Sequence, residues 1–408
     1  MPTLLSINNY FYRRGGAEVV FLEQNRLFKE IGWKVVPFAM QHPSNEASPW
    51  SDFFVSEIEF GNAYSLWQKS LRAIKITYSV EARHKIAALS ERVQPNIAHA
   101  HNVYHHISPA IFETLKARGI PTVLTLHDLK IACPAYKMLT HDGICERCKR
   151  GAIWNVVRHR CIKNSLSLSV VIMLESTVHR ILGCYSRNVD RFVVPSRFYL
   201  DKLVEWGWPR EHFTHIPNFV DVETHHPDPN PGHAFVFFGR LGPEKGLRTL
   251  VRAAARASVP LWIVGSGPEE AGLRKLAQEL GADVEFLGYR SGEALHETIR
   301  RARAVVLPSE WYENAPMSVM EAYALGRPVI GADIGGIPEL VIQNETGAIF
   351  QSGNIEALTD LLSRFASMTD TDITNMGYAG RAWTEREFTA ARYRERLVEL
   401  YRDMGVSC

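Results

Sequence analysis

The chain has 408 residues, 46% hydrophobic and 22% charged, enough to bury two cores, so two α/β domains is the starting expectation. A formal net charge of +2 excludes the strongly basic balance of a nucleic-acid binder, and the longest apolar run, from Leu166 to Leu174, falls far short of the ~20 residues of a membrane span. The segment from Met1 to Gly16 does not read as a signal peptide, so we expect a cytosolic protein whose six cysteines stay reduced.

Short β-rich apolar runs alternate with helical periodicity along the chain, the pattern of parallel sheets with helices on both faces. Strands are expected at residues 4–7, 34–38, 97–100, 122–126 and 191–194. A helix fits residues 17–31, ending before Gly32, and another begins at Ser196 as its N-cap. Between Gly61 and Ser165 there are 16 lysines and arginines against 6 aspartates and glutamates. That excess either attracts anionic lipid headgroups or a phosphate-bearing acceptor, or forms an ordinary solvated face. Residues 217–231, rich in Asn, Asp and Pro, read as a linker. A second α/β series follows, with strands at 234–238, 261–264, 284–287, 304–307 and 329–330. Residues 381–403 read as a helical stretch, either returning to the first domain or ending as a simple terminal helix. The expected boundaries are a first domain at 1–217 with a Cys-rich insertion near 129–165, a linker at 218–232, a second domain at 233–384 and a terminal helix at 385–408.

Three segments carry chemistry. Gly15 and Gly16 lie between the first strand and helix, where backbone amides can face an anion, although such turns also need glycine for steric reasons. The run Gly239-Arg240-Leu241-Gly242-Pro243-Glu244-Lys245-Gly246 again follows a strand and opens a helix. Its guanidinium and ammonium suit a diphosphate leaving group, the alternative being two solvated cations. The third is Glu313-Asn314-Ala315-Pro316, with Glu321 eight residues after Glu313. Pro316 suits the first helical position, and the amides near Met317 then point at an anion or sugar oxygen. The two glutamates read as separate hydroxyl-binding hooks, and Glu321, set in an apolar run, is no ordinary solvent-facing residue.

With Gly239-Arg240, Lys245-Gly246 and the Glu313/Glu321 spacing in hand, the chain resembles the retaining family 4 glycosyltransferases of GT-B fold. The resemblance extends to Gly15-Gly16-Ala17-Glu18, His101, Thr125-Leu126-His127-Asp128, Val194-Pro195-Ser196, Ile216-Pro217-Asn218, Val264-Gly265-Ser266-Gly267-Pro268, Leu287-Gly288 and Gly335-Gly336-Ile337-Pro338-Glu339. It departs where Glu-Gly-Phe-Gly is usual and this chain has Glu313-Asn314-Ala315-Pro316. The resemblance implies two Rossmann-like domains facing each other across a cleft, and transfer of a hexose from a UDP- or GDP-sugar to a saccharide or lipid-linked acceptor in cell-surface polysaccharide or glycoconjugate synthesis. It implies that Arg240 and Lys245 hold the diphosphate, with Gly15, Gly16 and Gly239 nearby, and that Glu321 holds the ribose. Glu313 and the backbone of Asn314, Ala315, Pro316 and Met317 would hold the sugar, with His127 beneath the reacting carbon; an ordinary hydrogen-bonded core histidine is the other reading of His127. Gly265, Gly267 and Arg290 would line the base pocket, and His101 and Asn102 are candidates for acceptor contact.

The sole Asp-x-Asp, Asp370-Thr371-Asp372, lies away from any strand end, so the leaving group's charge is expected to be met by side chains and helix dipoles, with no cofactor required. Cys133, Cys145, Cys148 and Cys161 carry a central C-x2-C and are candidates for a structural zinc, the alternative being unligated thiols. Competing functions are a sugar-nucleotide epimerase or a phosphorylase of the same architecture, and a non-catalytic nucleotide-sugar-binding protein. The expected place of action is the cytoplasm, on the inner membrane face if the basic stretch meets anionic lipid.

Overall fold

The computed structural model describes residues 1–57 and 77–407, so part of the basic stretch, residues 61–76, and Cys408 lie outside the described residues. The chain divides into two units, one of residues 1–140, 145–216 and 394–408, the other of 217–393 with 141–144.

In the first unit the elements run β1 (Thr3–Ile7), α1 (Gly16–Glu30), β2 (Lys34–Phe38), α2 (Val80–Val93), β3 (Ile97–Ala100), α3 (Ala110–Ala117), β4 (Thr122–Thr125), α4 (Asn155–Arg158), α5 (Leu166–Ile181), β5 (Arg191–Val194), α6 (Arg197–Glu205) and β6 (Phe213–His215). The strands pair in parallel in the order β2-β1-β3-β4-β5-β6. Leu4, Leu5, Ile7, Val123 and Leu124 are wholly buried, as expected for strands covered on both faces. Ser79, Ser165 and Ser196 cap α2, α5 and α6, each accepting a backbone N–H with its hydroxyl.

The second unit runs β7 (Phe235–Phe238), α7 (Leu247–Ala257), β8 (Leu261–Val264), α8 (Glu270–Leu280), β9 (Val284–Gly288), α9 (Glu293–Arg300), β10 (Val305–Leu307), α10 (Met317–Ala324), β11 (Val329–Asp333), β12 (Gly347–Gln351), α11 (Ile355–Ser367) and α12 (Asp370–Glu387). Its six strands are also parallel, ordered β9-β8-β7-β10-β11-β12. In such a sheet the strand order reverses once, and ligands bind beyond the carboxyl ends of the strands at that point. The reversal falls between β1 and β3 in the first sheet and between β7 and β10 in the second.

Three expectations need correction. The outer strands β6 and β12 are additional to those read from sequence; β6 has only three residues, too few to show a period. The stretch 381–403 is not one helix. It breaks at Phe388 and Thr389, where Val220 donates its N–H to the Phe388 carbonyl at 2.9 Å, and α13 (Ala390–Asp403) follows. From residue 394 the chain belongs to the first unit, where the Tyr401 ring lies 5.4 Å from Phe28 and its hydroxyl 2.6 Å from His99 Nδ1. The segment expected as a linker is no free tether either, because Asn218, Phe219, Val220 and His225 are buried. No helix among the described residues is long and apolar enough to cross a membrane.

Candidate active site

The loops that follow β7 and β8 are laced together. Gly239 donates its N–H to Val264 O at 3.0 Å and Leu241 to Ser266 O at 2.9 Å. A Cβ on Gly265 would lie 1.9 Å from the Gly239 carbonyl oxygen, so no side chain fits at that crossing. From this platform a single turn, Pro243–Lys245, leads into α7. Arg240 pairs with Glu244, leaving about half of its side chain exposed.

Lys245 reaches across to the end of β10. Its Nζ lies 2.6 Å from Glu313 Oε1 and 5.3 Å above the Trp311 ring. The same carboxylate oxygen accepts the Ser309 hydroxyl at 2.7 Å. Burial alone would raise the Glu313 pKa, but the charge and hydrogen bond of Lys245 outweigh it and hold the carboxyl below its usual range. Behind Glu313, Gly336 donates its N–H to the Glu313 carbonyl at 2.9 Å. Gly335 adopts φ +62°, and a Cβ there would lie 2.4 Å from the same oxygen. The next loop is pinned by Asn218, whose Nδ2 donates to Ala315 O at 2.9 Å.

Pro316 is not the first helical residue but the N-cap of α10, with extended backbone, and the helix begins at Met317. Met317 and Ser318 then present amides that no turn of the helix can accept. Glu321, on the second turn, has no hydrogen-bond or ion-pair partner among the described residues, and desolvation pushes its pKa up to about 7. A charge-bearing pair, free amides and an unpartnered carboxyl therefore lie where the second sheet reverses. Gly239, Gly265 and Gly267 belong to the laced loops beside them. Arg290, expected at the base pocket, donates from Nη1 to Thr298 Oγ1 on α9 at 2.7 Å.

In the first unit Gly15 caps α1, with Gly16 as the first helical residue. Glu18 in that first turn is buried, its pKa raised by desolvation, and its carboxylate lies 3.4 Å from where a Gly15 side chain would begin. An anion approaching these amides meets a carboxyl group. The loops after β1 and β3 are tied by Asn102, which donates its N–H to Asn8 Oδ1 at 2.9 Å and accepts the Asn9 N–H at 2.7 Å.

The expected acceptor contact at His101 is corrected. That side chain is wholly buried, stacked between His99 and His127 with centroids at 4.9 and 5.1 Å. Its Nδ1 lies 2.8 Å from His127 Nε2, so His101 orients His127 and has no surface for an acceptor. Desolvation lowers all three, His99 to about 3 and His127 to about 4, and the row is neutral near pH 7. Asp128 accepts the Lys130 N–H at 2.9 Å, and burial pushes it up to about 6. Sequence reasoning missed the buried pair of Lys130 and Glu175, 2.8 Å apart, because the partners stand 45 residues apart in the chain. It also missed the anchoring role of Asn218, although an asparagine between Pro217 and a buried Phe219-Val220 could have signalled it.

The four cysteines of the expected zinc site lie within electrostatic reach of one another, Cys148 feeling the charges of Cys133, Cys161 and Cys145. Among the described residues no three His, Cys, Asp or Glu side chains come together in a way that could hold a metal ion. Cys133 and Cys148 are buried free thiols, with Cys145 and Cys161 half-buried. The insertion is held by turns of its own, Cys133 donating its N–H to Leu129 O at 2.8 Å and Cys145 to Met138 O at 2.8 Å. Burial pushes the Cys148 and Cys161 thiols up to about 12 and about 11, which keeps them protonated in this arrangement.

Comparison with known proteins gives two family matches, "Glycosyltransferase Family 4" over residues 14–224 and "Glycosyl transferases group 1" over 224–383. A GDP-mannose-dependent monoacylated alpha-(1-6)-phosphatidylinositol monomannoside mannosyltransferase of Corynebacterium glutamicum is 32% identical over 240 residues, 52% of this chain and 62% of that protein. The O-antigen chain mannosyltransferase C of Escherichia coli is 31% identical over 170 residues, 41% of this chain and 46% of that protein. The matches thus span about half to three fifths of these relatives' lengths. Among solved structures, sucrose-phosphate synthase from Thermosynechococcus elongatus superposes with a TM-score of 0.70 at 19% identity, covering 99% of each chain. Anabaena HepE in complex with UDP superposes with 0.68 at 16%, covering 99% of this chain and 100% of that one. Two parallel-sheet Rossmann-like units and a family match over half the chain place it: the chain has the GT-B fold and belongs to glycosyltransferase family 4.

Proposed function

We propose that the chain is a retaining hexosyltransferase that takes its sugar from a nucleotide diphosphate donor and gives it to a saccharide or lipid-linked acceptor at the cytoplasmic face of a membrane. GDP-mannose is the first donor to consider, since several relatives are named for it, with UDP-sugars next. The observation that carries the reading is the Lys245–Glu313 pair beside the unpartnered Glu321 at the reversal point of the second sheet.

In this reading the diphosphate meets Lys245, Arg240 and the amides of Met317 and Ser318, which stabilise the charge that develops as the glycosidic bond breaks. Arg240 would have to exchange its bond to Glu244 for a phosphate oxygen. Glu313, held ionised by Lys245, accepts hydroxyls of the transferring sugar, and Glu321 accepts those of the ribose. His127, in the first unit, offers a neutral imidazole fixed by His101, suited to hydrogen bonding rather than to charge stabilisation. The acceptor attacks on the face from which the diphosphate leaves, and a phosphate oxygen takes its proton. Metal independence is part of the proposal; Asp370 is ion-paired with Arg303 at 3.0 Å in the first turn of α12, which gives the Asp-x-Asp a structural use.

Incubation with GDP-mannose and UDP-glucose, separately and in chelator, followed by nuclear magnetic resonance of the product's anomeric centre, tests this. Transfer with the donor's anomeric configuration kept supports the proposal. Inverted product, a strict need for added metal, or interconversion of the free sugar nucleotide would refute it.

A further inference from the structure

Helix α5 is built inside out. It buries Ser169, Glu175, Ser176 and His179 together with a single large aliphatic, Ile172. Three of the four polar side chains have partners within the unit: Ser169 Oγ accepts the Ile162 N–H at 3.3 Å, Glu175 pairs with Lys130 through Oε2 while its Oε1 accepts no hydrogen bond, and His179 Nε2 lies 2.7 Å from Thr77 O. The opposite side turns apolar residues to water. Leu166 is 54%, Leu174 52% and Ile181 70% exposed, with half-buried Val170 and Met173 between them. These five lie at spacings of three, four and seven or eight residues, a single stripe down the helix. A helix normally presents the reverse pattern, and a large exposed apolar patch marks an interaction surface.

The segment packed against α5 supplies charge. The short helix α4 lies on α5, and the residue before it, Trp154, is 60% exposed. Arg150, Arg158, Arg160 and Lys163 are exposed, and none pairs with a carboxylate among the described residues. An apolar stripe beside an exposed tryptophan and unpaired cations matches the acyl–headgroup boundary of an anionic bilayer. A second copy of the chain fits poorly, because a twofold contact would bring the same cations together.

We infer that the α5 stripe and the basic segment before it form a monotopic membrane-binding surface selective for anionic lipid. Leu166, Leu174, Ile181 and Trp154 enter the acyl boundary, while Arg158, Arg160 and Lys163 stand among the headgroups. This deepens the lipid-linked-acceptor reading above and rests on it for the choice of a membrane.

The test is co-sedimentation of the full chain with vesicles of phosphatidylcholine, alone or with about 30% phosphatidylglycerol. Binding is expected only to the anionic vesicles, weakening as salt rises from about 0.1 M to about 1 M. L166Q/L174Q/I181Q and R158Q/R160Q/K163Q should each weaken it at least about tenfold with the melting temperature unchanged, since these side chains already face water. Brominated lipid should quench fluorescence that disappears in W154F. Equal binding by the variants, no binding to either vesicle, or a dimer dissolved by L166Q/L174Q/I181Q would each overturn the inference. Melting shifts with GDP- and UDP-sugars, measured on the same samples, report on the transferase reading separately, so one can fail while the other stands.

Discussion

Glu321 and Glu313 are carboxyls eight residues apart with opposite electrostatics. Glu313 has Lys245 at 2.6 Å and is held ionised; Glu321 is desolvated without a partner and titrates near 7. A ribose diol hydrogen-bonds more strongly to the ionised form, because charge-assisted bonds are roughly twice as strong as neutral ones. Donor affinity should therefore rise as pH increases from 6 to 8 and level off above, and E321Q should bind more weakly with no such rise. A wild-type donor KM that is flat across that range would remove the role given to Glu321. For the pair itself, K245M strands a buried carboxylate. It is expected to cost about 2 kcal/mol of stability, less than the 3–5 kcal/mol of a fully buried pair because Lys245 is 22% exposed. Loss of a donor to the leaving group should lower kcat by about a hundredfold. The double variant K245M/E313Q should recover much of the stability and none of the activity, which denaturation and rate measurements on the three variants check.

At the scale of elements, the site depends on a segment that supplies no ligand. Asn218 holds the Ala315 carbonyl, and so sets where α10 begins and where its amides point. N218A removes one buried hydrogen bond and leaves a carbonyl unmet, costing roughly 1–3 kcal/mol. The donor KM should rise while unfolding stays cooperative; an unchanged KM would show that α10 is placed without it. This dependence marks how far the sequence could be read. The loops after β7, β8 and β10 were legible because glycine, proline and charge stand at strand ends, where the chain must turn. Pro316 was misplaced by one position, since a proline suits both the cap and the first turn. His101 could not be told from a ligand, because burial by stacking on His99 and His127 is a property of β3 and β4 brought side by side. The inverted face of α5 was hidden for the same reason: a run of Leu, Ser and Val reads as core until the other side is seen to hold Glu175 and His179.

At the scale of the molecule, the two sheets carry different loads of buried titratable groups. His99, His105, His127 and His215 are held neutral by desolvation, at about 3 for the first and about 4 for the others, against roughly 6.5 in an unfolded chain. Between those values the unfolded chain binds more protons, so this stability is complete above about pH 6.5 and is lost as pH falls toward 4. Glu321 and Asp128, raised to about 7 and about 6, work in the opposite sense over part of that range but are fewer. The melting temperature should drop by roughly 5 °C or more between pH 6.5 and 4.5, with the loss in the first unit, where three of the four histidines stand around β3 and β4. The C-terminal residues belong to that unit too. Truncating the chain after Tyr393 removes Tyr401 from Phe28 and His99, and hydrogen exchange should then rise in β1 and β3 while β7 and β10 stay protected.

The central claim is that the second unit's reversal point grips a nucleotide-sugar diphosphate through Lys245, Glu313 and Glu321. Calorimetric titration of GDP-mannose and UDP-glucose into the wild type, K245M and E321Q tests it most directly. One of the two donors is predicted to bind the wild type, with affinity reduced at least about tenfold in each variant. Binding of neither donor to the wild type, or equal binding to all three proteins, would contradict it.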